Sequence, residues 1–181
     1  MKRILFSLYL SLIAILTFAT DGFTVADVFT DHMVLQRNAI IKIWGEAQNG
    51  SLVEVRFAGQ LQKVKAIQGK WQVTLKTGEA GGPYKLEVIN GNNKVSFQDV
   101  LIGDVWLAGG QSNMEFALRR VKDAQTEISL ADYPQIRYYK VPRKFYPEQE
   151  VSKASWRVCS PQTAPEFSAI AYYFSETYIK S

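Results

Sequence analysis

The stretch that decides the fold runs from Val105 to Phe116 and reads VWLAGGQSNMEF. An apolar run ends here in two glycines, and Ser112 follows where helical spacing begins. A strand-to-helix turn lets one side chain stand clear of a sheet, and the free N–H groups of a helix start stabilise an oxyanion. Glycines allow a substrate to approach the backbone closely. The stretch therefore predicts a strand, a turn that presents a nucleophilic serine, and a helix.

A second interpretation of the same serine is purely structural. Ser112 and Glu115 are three residues apart and fit a capping box, which opens many ordinary helices. A nucleophile also needs partner groups that no local spacing supplies. Spacing alone therefore leaves a helix cap and a nucleophile as open alternatives.

Three separated motifs resemble those of the sialate O-acetylesterase family, a group of SGNH (GDSL-like) carbohydrate acetylesterases. They are GQSNME at Gly110–Glu115, GDVWL at Gly103–Leu107 and DHMVLQR at Asp31–Arg37. The resemblance implies that Ser112 is the nucleophile of an ester hydrolase and that its own backbone N–H is one oxyanion donor. It also implies that Gln111 and Asn113 shape the substrate pocket, and it implies neither a metal nor an organic cofactor.

The first twenty residues predict a secretory signal peptide. Lys2 and Arg3 form a basic start, residues 4–18 are apolar, and residues 17–19 provide a cleavage site. The apolar run is short for a membrane span, which needs about 20 residues. An uncleaved anchor is the alternative. We expect a secreted or periplasmic protein with no stable membrane span after removal of the signal.

Residues 21–103 predict an all-β antiparallel sandwich. Apolar and polar residues alternate in several short runs, separated by turn residues, and Asn90-Gly91 predicts a hairpin between residues 85–89 and 94–97. The runs with this alternation are centred on Ile43, Val55 and Val73. Trp44 and Trp71 are candidate platforms for stacking a sugar. The alternative is that both are ordinary core or half-buried strand residues.

Residues 104–181 predict the start of an α/β domain. A strand at 105–108 is followed by helical spacing, a second extended run and a closing helix, which together predict a βαβα unit with a parallel sheet. The helical spacing is at Met114, Ala117, Leu118 and Val121, the extended run at Ile136, Tyr138 and Val141, and the closing face at Phe167, Ile170, Ala171, Phe174 and Tyr178. Thr163 and Glu166, with Pro165, predict the start of the closing helix. A long irregular connection is expected between Pro142 and Pro161.

Two parallel strands are too few for a stable sheet, because a parallel sheet needs both faces covered and its strands mutually paired. The family resemblance implies a flavodoxin-like sheet of about five strands. It also places the aspartate and histidine of the catalytic triad in a later block, which this sequence does not contain. The single histidine, His32, lies in the DHMVLQR motif and is expected to tie the sandwich to its neighbour. The sequence is therefore interpreted as an N-terminal fragment, inactive alone.

Charge and composition exclude several partners. Without Lys2 and Arg3 the chain has 19 basic and 17 acidic side chains, so it is nearly neutral and nucleic acid is not expected as a partner. One cysteine and one histidine cannot form a usual zinc site or an internal disulfide. The sequence specifies no oligomeric state.

The function that the sequence favours is a serine esterase acting on O-acetylated sialic acid or related glycans. The alternative is a non-catalytic carbohydrate-binding or structural β-sandwich module. An intact lipase or protease is disfavoured, because no histidine follows the serine and Met114 stands where a Gly-x-Ser-x-Gly elbow has its second glycine.

Overall fold

The computed structural model describes residues 22–142 and 153–180, so the predicted signal peptide and most of the connection after Pro142 lie outside the described residues. The described residues are mostly β-strand. The strands are β1 Thr24–Val25, β2 Val34–Gln36, β3 Ile40–Glu46, β4 Leu52–Phe57, β5 Gln60–Lys65, β6 Lys70–Lys76, β7 Gly81–Asn90, β8 Asn93–Gly103, β9 Tyr133–Tyr139 and β10 Trp156–Cys159. The helices are α1 Ala124–Leu130 and α2 Ala169–Lys180, with 3₁₀ turns at Leu118–Arg120 and Ala164–Glu166.

Two sheets enclose the first hydrophobic core. A three-stranded sheet has the order β1-β3-β6, and a five-stranded sheet has the order β2-β8-β7-β4-β5. Alternation decides which residues are buried: Val53, Val55 and Phe57 of β4 are at most 2% exposed, while their neighbours on the strand face outward. The alternation predicted at β3, β4 and β6 is confirmed, because each of these strands turns one apolar face to this core.

The predicted hairpin is also confirmed. β7 and β8 pair antiparallel, with Asn90 opposite Asn93 and with Gly91 at a φ of 58° in the turn between them. A left-handed backbone of this kind is what Asn-Gly turns favour.

The five-stranded sheet differs from the antiparallel prediction at its edge. β2 runs parallel to the end of β8, with Val34 opposite Leu101 and Gln36 opposite Gly103. This pairing joins residues 67 positions apart in the chain, so no local turn signal predicts it. It places the DHMVLQR motif directly beside the GDVWL motif.

The predicted βαβα unit is not present in the described residues. Residues 105–108 form no strand, and the side chains of Val105, Trp106 and Leu107 are 44%, 61% and 92% exposed. A strand needs a neighbour for its backbone groups, and among residues 22–142 and 153–180 none pairs with this segment. The sheet that follows is antiparallel rather than parallel, because β9 pairs with β10 in that sense. β10 also lies within the connection that was predicted to be irregular.

The helix predicted from the spacing between Met114 and Val121 is wrong. Leu118 is fully buried and begins a three-residue 3₁₀ turn, and the short helix α1 starts only at Ala124. Apolar residues at this spacing instead pack individually around a second hydrophobic core, which includes Leu118, Ile136, Cys159, Phe167 and Tyr172.

Burial in this second core raises the pKa of the Cys159 thiol to about 11.

The closing helix exists, but it begins later than its capping box predicts. Thr163 and Glu166 flank a 3₁₀ turn, and α2 starts at Ala169. The Thr163 hydroxyl does not cap that turn; it donates to the backbone carbonyl of Val158. Only part of the predicted apolar face is buried, because Phe167 is 1% exposed whereas Phe174 is 46% exposed. No helix in the described ranges has the length and apolar character of a membrane span.

Candidate active site

The serine loop, residues 105–116, ends in a series of tight turns rather than in a helix. Met114 N donates to Gln111 O at 2.7 Å, and Glu115 N donates to Ser112 O at 3.2 Å. Ser112 has a φ of 31°, in the left-handed region that side chains other than glycine rarely adopt. The predicted capping box is therefore absent as a helix start: Ser112 and Glu115 are joined by a backbone turn. The helix N-terminus that was predicted to hold the oxyanion is absent with it.

The three candidate site residues Gln111, Ser112 and Asn113 are brought together at the surface. All three are exposed, and within the described residues their backbone N–H groups donate no hydrogen bond to protein. Backbone N–H groups that face solvent are available to a bound oxyanion. The turn thus offers a hydroxyl and adjacent N–H donors, in a different backbone arrangement from the predicted one.

The far end of the serine loop is fixed to the start of α2. Phe116 O accepts a hydrogen bond from Ala169 N at 2.8 Å, and Leu118 N donates to Phe167 O at 2.9 Å. The Ser168 hydroxyl donates to the Met114 sulfur at 3.4 Å. These contacts anchor the loop beyond Ser112 to the second hydrophobic core, while the turn that carries Ser112 remains exposed.

His32 is engaged away from the serine. Its Nδ1 lies 2.7 Å from Asp99 Oδ2, and the same oxygen accepts a hydrogen bond from Arg137 Nη2 at 2.9 Å. His32 and Asp99 both belong to the β-rich part, residues 22–103, so the His32 hydrogen bond is structural but lies within that part. The contact to β9 that was predicted for His32 is made by Asp99, through Arg137. In the part of the chain that the structure describes, no histidine or carboxylate is hydrogen-bonded to the Ser112 hydroxyl.

Arg137 is a structurally important residue that the sequence analysis missed. Its side chain is 4% exposed, and its Nε and Nη1 have no hydrogen-bond partner among the described residues. Burial lowers the pKa of Arg137, and the charge of Asp99 opposes that shift. The sequence carries no signal for its burial, because an arginine between Ile136 and Tyr138 is what alternation predicts for the outward face of a half-buried strand.

Two other features bear on what the site can bind. Among the described residues, no group of three histidine, cysteine, aspartate or glutamate side chains is placed to hold a metal ion. An open depression of about 500 Å³ lies at the β7–β8 hairpin, where Ser51, Leu52 and Asn90 line it together with residues 91–93. None of its lining residues belongs to the serine loop.

Comparison with known proteins gives relatives of one kind. No protein-family model matches the chain. The human sialate O-acetylesterase is 35% identical over 133 residues, which are 66% of this chain and 25% of that protein. The sialate O-acetylesterase of Rattus norvegicus is 36% identical over 135 residues, which are 66% of this chain and 24% of the relative. The chain spans about a quarter of the length of the curated relatives it matches.

A solved structure agrees with the sequence relatives. A carbohydrate acetylesterase from Xanthomonas citri superposes with a TM-score of 0.79 at 36% identity, over 85% of this chain and 36% of that one. The two chains are therefore similar in sequence as well as in fold. By sequence and by fold, the chain is similar to the sialate O-acetylesterases and to this carbohydrate acetylesterase over the part of those proteins that it spans.

Proposed function

We propose that this chain supplies the nucleophile of a serine esterase that removes O-acetyl groups from sialic acid or related glycans. The observation that carries the proposal is Ser112 itself: an exposed hydroxyl on a residue with a φ of 31°, beside backbone N–H groups that donate no hydrogen bond within the described ranges. Sparsely populated backbone angles cluster at functional sites. The names of the relatives suggest the substrate, an acetyl ester on a sugar hydroxyl.

In the proposed reaction a base takes the Ser112 proton, the Ser112 oxygen attacks the ester carbonyl, and the bond between the carbonyl carbon and the sugar oxygen breaks. The sugar oxygen leaves as a hydroxyl, with the proton that the base returns. The acetyl group is then held on Ser112 as an ester, and water hydrolyses it to acetate and the free serine. The Ser112 N–H faces the oxyanion of each tetrahedral intermediate. Gln111 and Asn113 flank the reacting atoms and are proposed to shape the pocket for the glycan.

A serine hydroxyl is a weak nucleophile at neutral pH until a base accepts its proton. Since Asp99 holds His32, we propose that the base and its aspartate belong to polypeptide that matches the part of the relatives beyond the quarter spanned here. The same proposal includes a division into a sandwich domain at 21–103 and a hydrolase part at 104–181, and a secreted or periplasmic location. The experiment that tests the nucleophile supplies those residues from the Xanthomonas acetylesterase in one chimaeric polypeptide.

The chain on its own is expected to hydrolyse 4-nitrophenyl acetate no faster than its Ser112→Ala variant. Loss of the base typically lowers turnover by about 10⁴-fold or more, and the oxyanion donors alone do not compensate. Release of 4-nitrophenol is followed for both proteins at equal concentration. Rapid release that depends on Ser112 would show that a base is already present within the 181 residues.

A second function, glycan binding by the β-rich part, is favoured by Trp44. This side chain is 43% exposed on β3, directly opposite Gln72 of β6. Its ring packs edge-to-face against Phe29 at 4.8 Å between centroids and leaves its remaining surface exposed beside the amide. Trp71 is not a platform: it is 3% exposed and its indole N–H donates to Thr24 O and Glu46 O, both at 3.2 Å. The interpretation of Trp71 as a core residue is confirmed.

If the β-rich part binds glycans, Trp44→Ala is expected to weaken binding by about tenfold, equivalent to about 1.4 kcal/mol. The matched control is Ile40→Ala, because Ile40 is 70% exposed on the same face of β3 and has no ring on which a sugar stacks. Affinity is measured by calorimetry with O-acetylated and de-acetylated oligosaccharides. Equal affinities for all three proteins would remove this second function.

A further inference from the structure

The base of the serine loop has little backbone support. Between Asp104 and Gly110, one backbone hydrogen bond is found within the described residues, from Val105 N to the Gln36 side-chain oxygen at 2.9 Å. Residues 105–108 pair with no described strand. The direction in which the chain leaves β8 must therefore be set largely by side chains.

Asp104 provides two of these side-chain contacts. Its Oδ1 accepts a hydrogen bond from Arg37 Nε at 3.0 Å, and its Oδ2 accepts one from the Tyr178 hydroxyl at 2.7 Å. Arg37 follows β2 and Tyr178 lies near the end of α2, so one carboxylate joins two elements far apart in sequence. The Tyr178 hydrogen bond, aided by Arg37, lowers the pKa of Asp104, so the carboxylate is ionised at neutral pH.

Tyr178 contacts the loop a second time, through its ring. Trp106 lies edge-to-face on Phe174 at 5.2 Å and on Tyr178 at 5.7 Å between ring centroids. Edge-to-face pairs at this separation are favourable arrangements of aromatic rings. The hydroxyl of Tyr178 thus holds Asp104, while its ring and that of Phe174 hold the side chain two residues further along.

From these contacts we propose that Asp104 is a positioning residue, which fixes the serine loop between Arg37 and Tyr178 and thereby sets the place of Ser112. The proposal rests on the proposed function in taking Ser112 as the reacting group. It also assigns a role to two of the sequence motifs. Arg37 ends DHMVLQR and Asp104 lies in GDVWL, and their ion pair joins the two motifs beneath the loop.

A purely stabilising ion pair would behave differently. Its loss would lower the free energy of unfolding without changing the conformation of the folded loop. A positioning contact, when removed, displaces the loop while the rest of the folded protein is unchanged. The test therefore needs a signal from the loop and signals from elsewhere in the same molecule.

The four tryptophans supply these signals when the full chain is labelled with 5-fluorotryptophan and observed by ¹⁹F NMR. The Trp106 resonance is assigned from its loss in Trp106→Phe. In Asp104→Asn and in Tyr178→Phe, we expect the Trp106 line to move by more than its own width, while the other tryptophan lines stay in place. In ¹⁵N-labelled protein, the amide resonances of Gly110 and Ser112 are expected to shift in the same two variants.

The matched control is Lys63→Ala, which removes an exposed ion pair with Glu54 of 2.7 Å on β4 and β5 and should leave every line unchanged. If Asp104→Asn fails to fold, Tyr178→Phe still decides the question, because it deletes a single hydroxyl. An unmoved Trp106 line would overturn the proposal, and so would a Ser112 amide that does not respond when Trp106 does. Neither signal depends on turnover, so failure of the proposed esterase function would appear separately, in the chimaera.

Discussion

Ser112→Ala is expected to lower acetate release by about 10⁴-fold or more in a chimaera in which residues 22–180 replace the matching part of the Xanthomonas carbohydrate acetylesterase. That part is 36% of the Xanthomonas chain and is 36% identical to this one, so the chimaera keeps the relative's remaining residues intact. Acetate released from an acetylated sugar is measured by a coupled enzymatic assay. A variant that keeps more than about a tenth of the activity would show that the nucleophile lies elsewhere.

The expected loss is large because the serine forms the bond on which both chemical steps depend. A factor of 10⁴ corresponds to about 5.5 kcal/mol of transition-state stabilisation. A single oxyanion donor contributes only about 3 to 4 kcal/mol, and the alanine variant retains the backbone N–H that would supply it. A result near 10²-fold would therefore indicate a residue that assists the oxyanion rather than a nucleophile.

The control variant for this experiment is Ser129→Ala. Ser129 is an exposed serine in α1, and its hydroxyl donates to Thr126 O at 2.7 Å. Its replacement by alanine also removes one exposed hydroxyl, and it leaves the serine loop unchanged. We expect the activity of that variant to equal that of the unmodified chimaera, so a decrease specific to Ser112 is not a general effect of serine removal.

The parts of the fold that the sequence predicted are those with local causes. Alternation along β4 and β6 and the Asn90-Gly91 turn depend on neighbouring residues, and both are present as predicted. The parallel pairing of β2 with β8 depends on residues 67 positions apart, and no periodicity contains that information. The spacing between Met114 and Val121 is helical in period, but burial of single side chains such as Leu118 satisfies it without a helix.

The candidate site was predictable in composition and not in geometry. Motif resemblance located Ser112, Gln111 and Asn113, and the structure places all three at one exposed turn. The left-handed backbone at Ser112 was not predictable, because serine has no special preference for it. The contacts that orient the loop, such as that between Asp104 and Tyr178, join residues 74 positions apart and appear only once α2 has folded against the loop.

Asp99→Asn is expected to lower the free energy of unfolding by about 3 kcal/mol, the second large effect in this molecule. The asparagine side chain has the same shape and tolerates the left-handed φ of 52° at this position, so the backbone is not the cause. The cause is Arg137, which is 4% exposed and has Asp99 as its ion-pair partner in the described residues. The Asp99 side chain is 31% exposed, but its removal leaves the buried charge of Arg137 uncompensated, which is why the loss is large. Denaturant unfolding, followed by tryptophan fluorescence, measures it.

Glu54→Gln is the control for a carboxylate whose cations are exposed, because Lys63 and Arg56 are 50% and 54% exposed whereas Arg137 is 4% exposed. Glu54 contacts two cations, Lys63 at 2.7 Å and Arg56 at 3.3 Å, as Asp99 contacts His32 and Arg137. Because solvent screens the Glu54 pairs, its replacement should leave the unfolding midpoint nearly unchanged. Equal midpoints for Asp99→Asn and Glu54→Gln would show that the Arg137 guanidinium is hydrated and needs no counter-charge.

The double variant Asp99→Asn with Arg137→Met separates the charge from the packing around it. Methionine fills a similar volume without a charge, and apolar replacement of a buried ion pair is often neutral or stabilising. We therefore expect the double variant to recover most of the stability that Asp99→Asn loses. A further loss in the double variant would mean that Arg137 stabilises the fold even without Asp99. The loss in Asp99→Asn would then come from the missing hydrogen bond between Asp99 and His32. Recovery of stability in the double variant would show that the Asp99–Arg137 pair holds β9, the strand that carries Arg137, against the β-rich part.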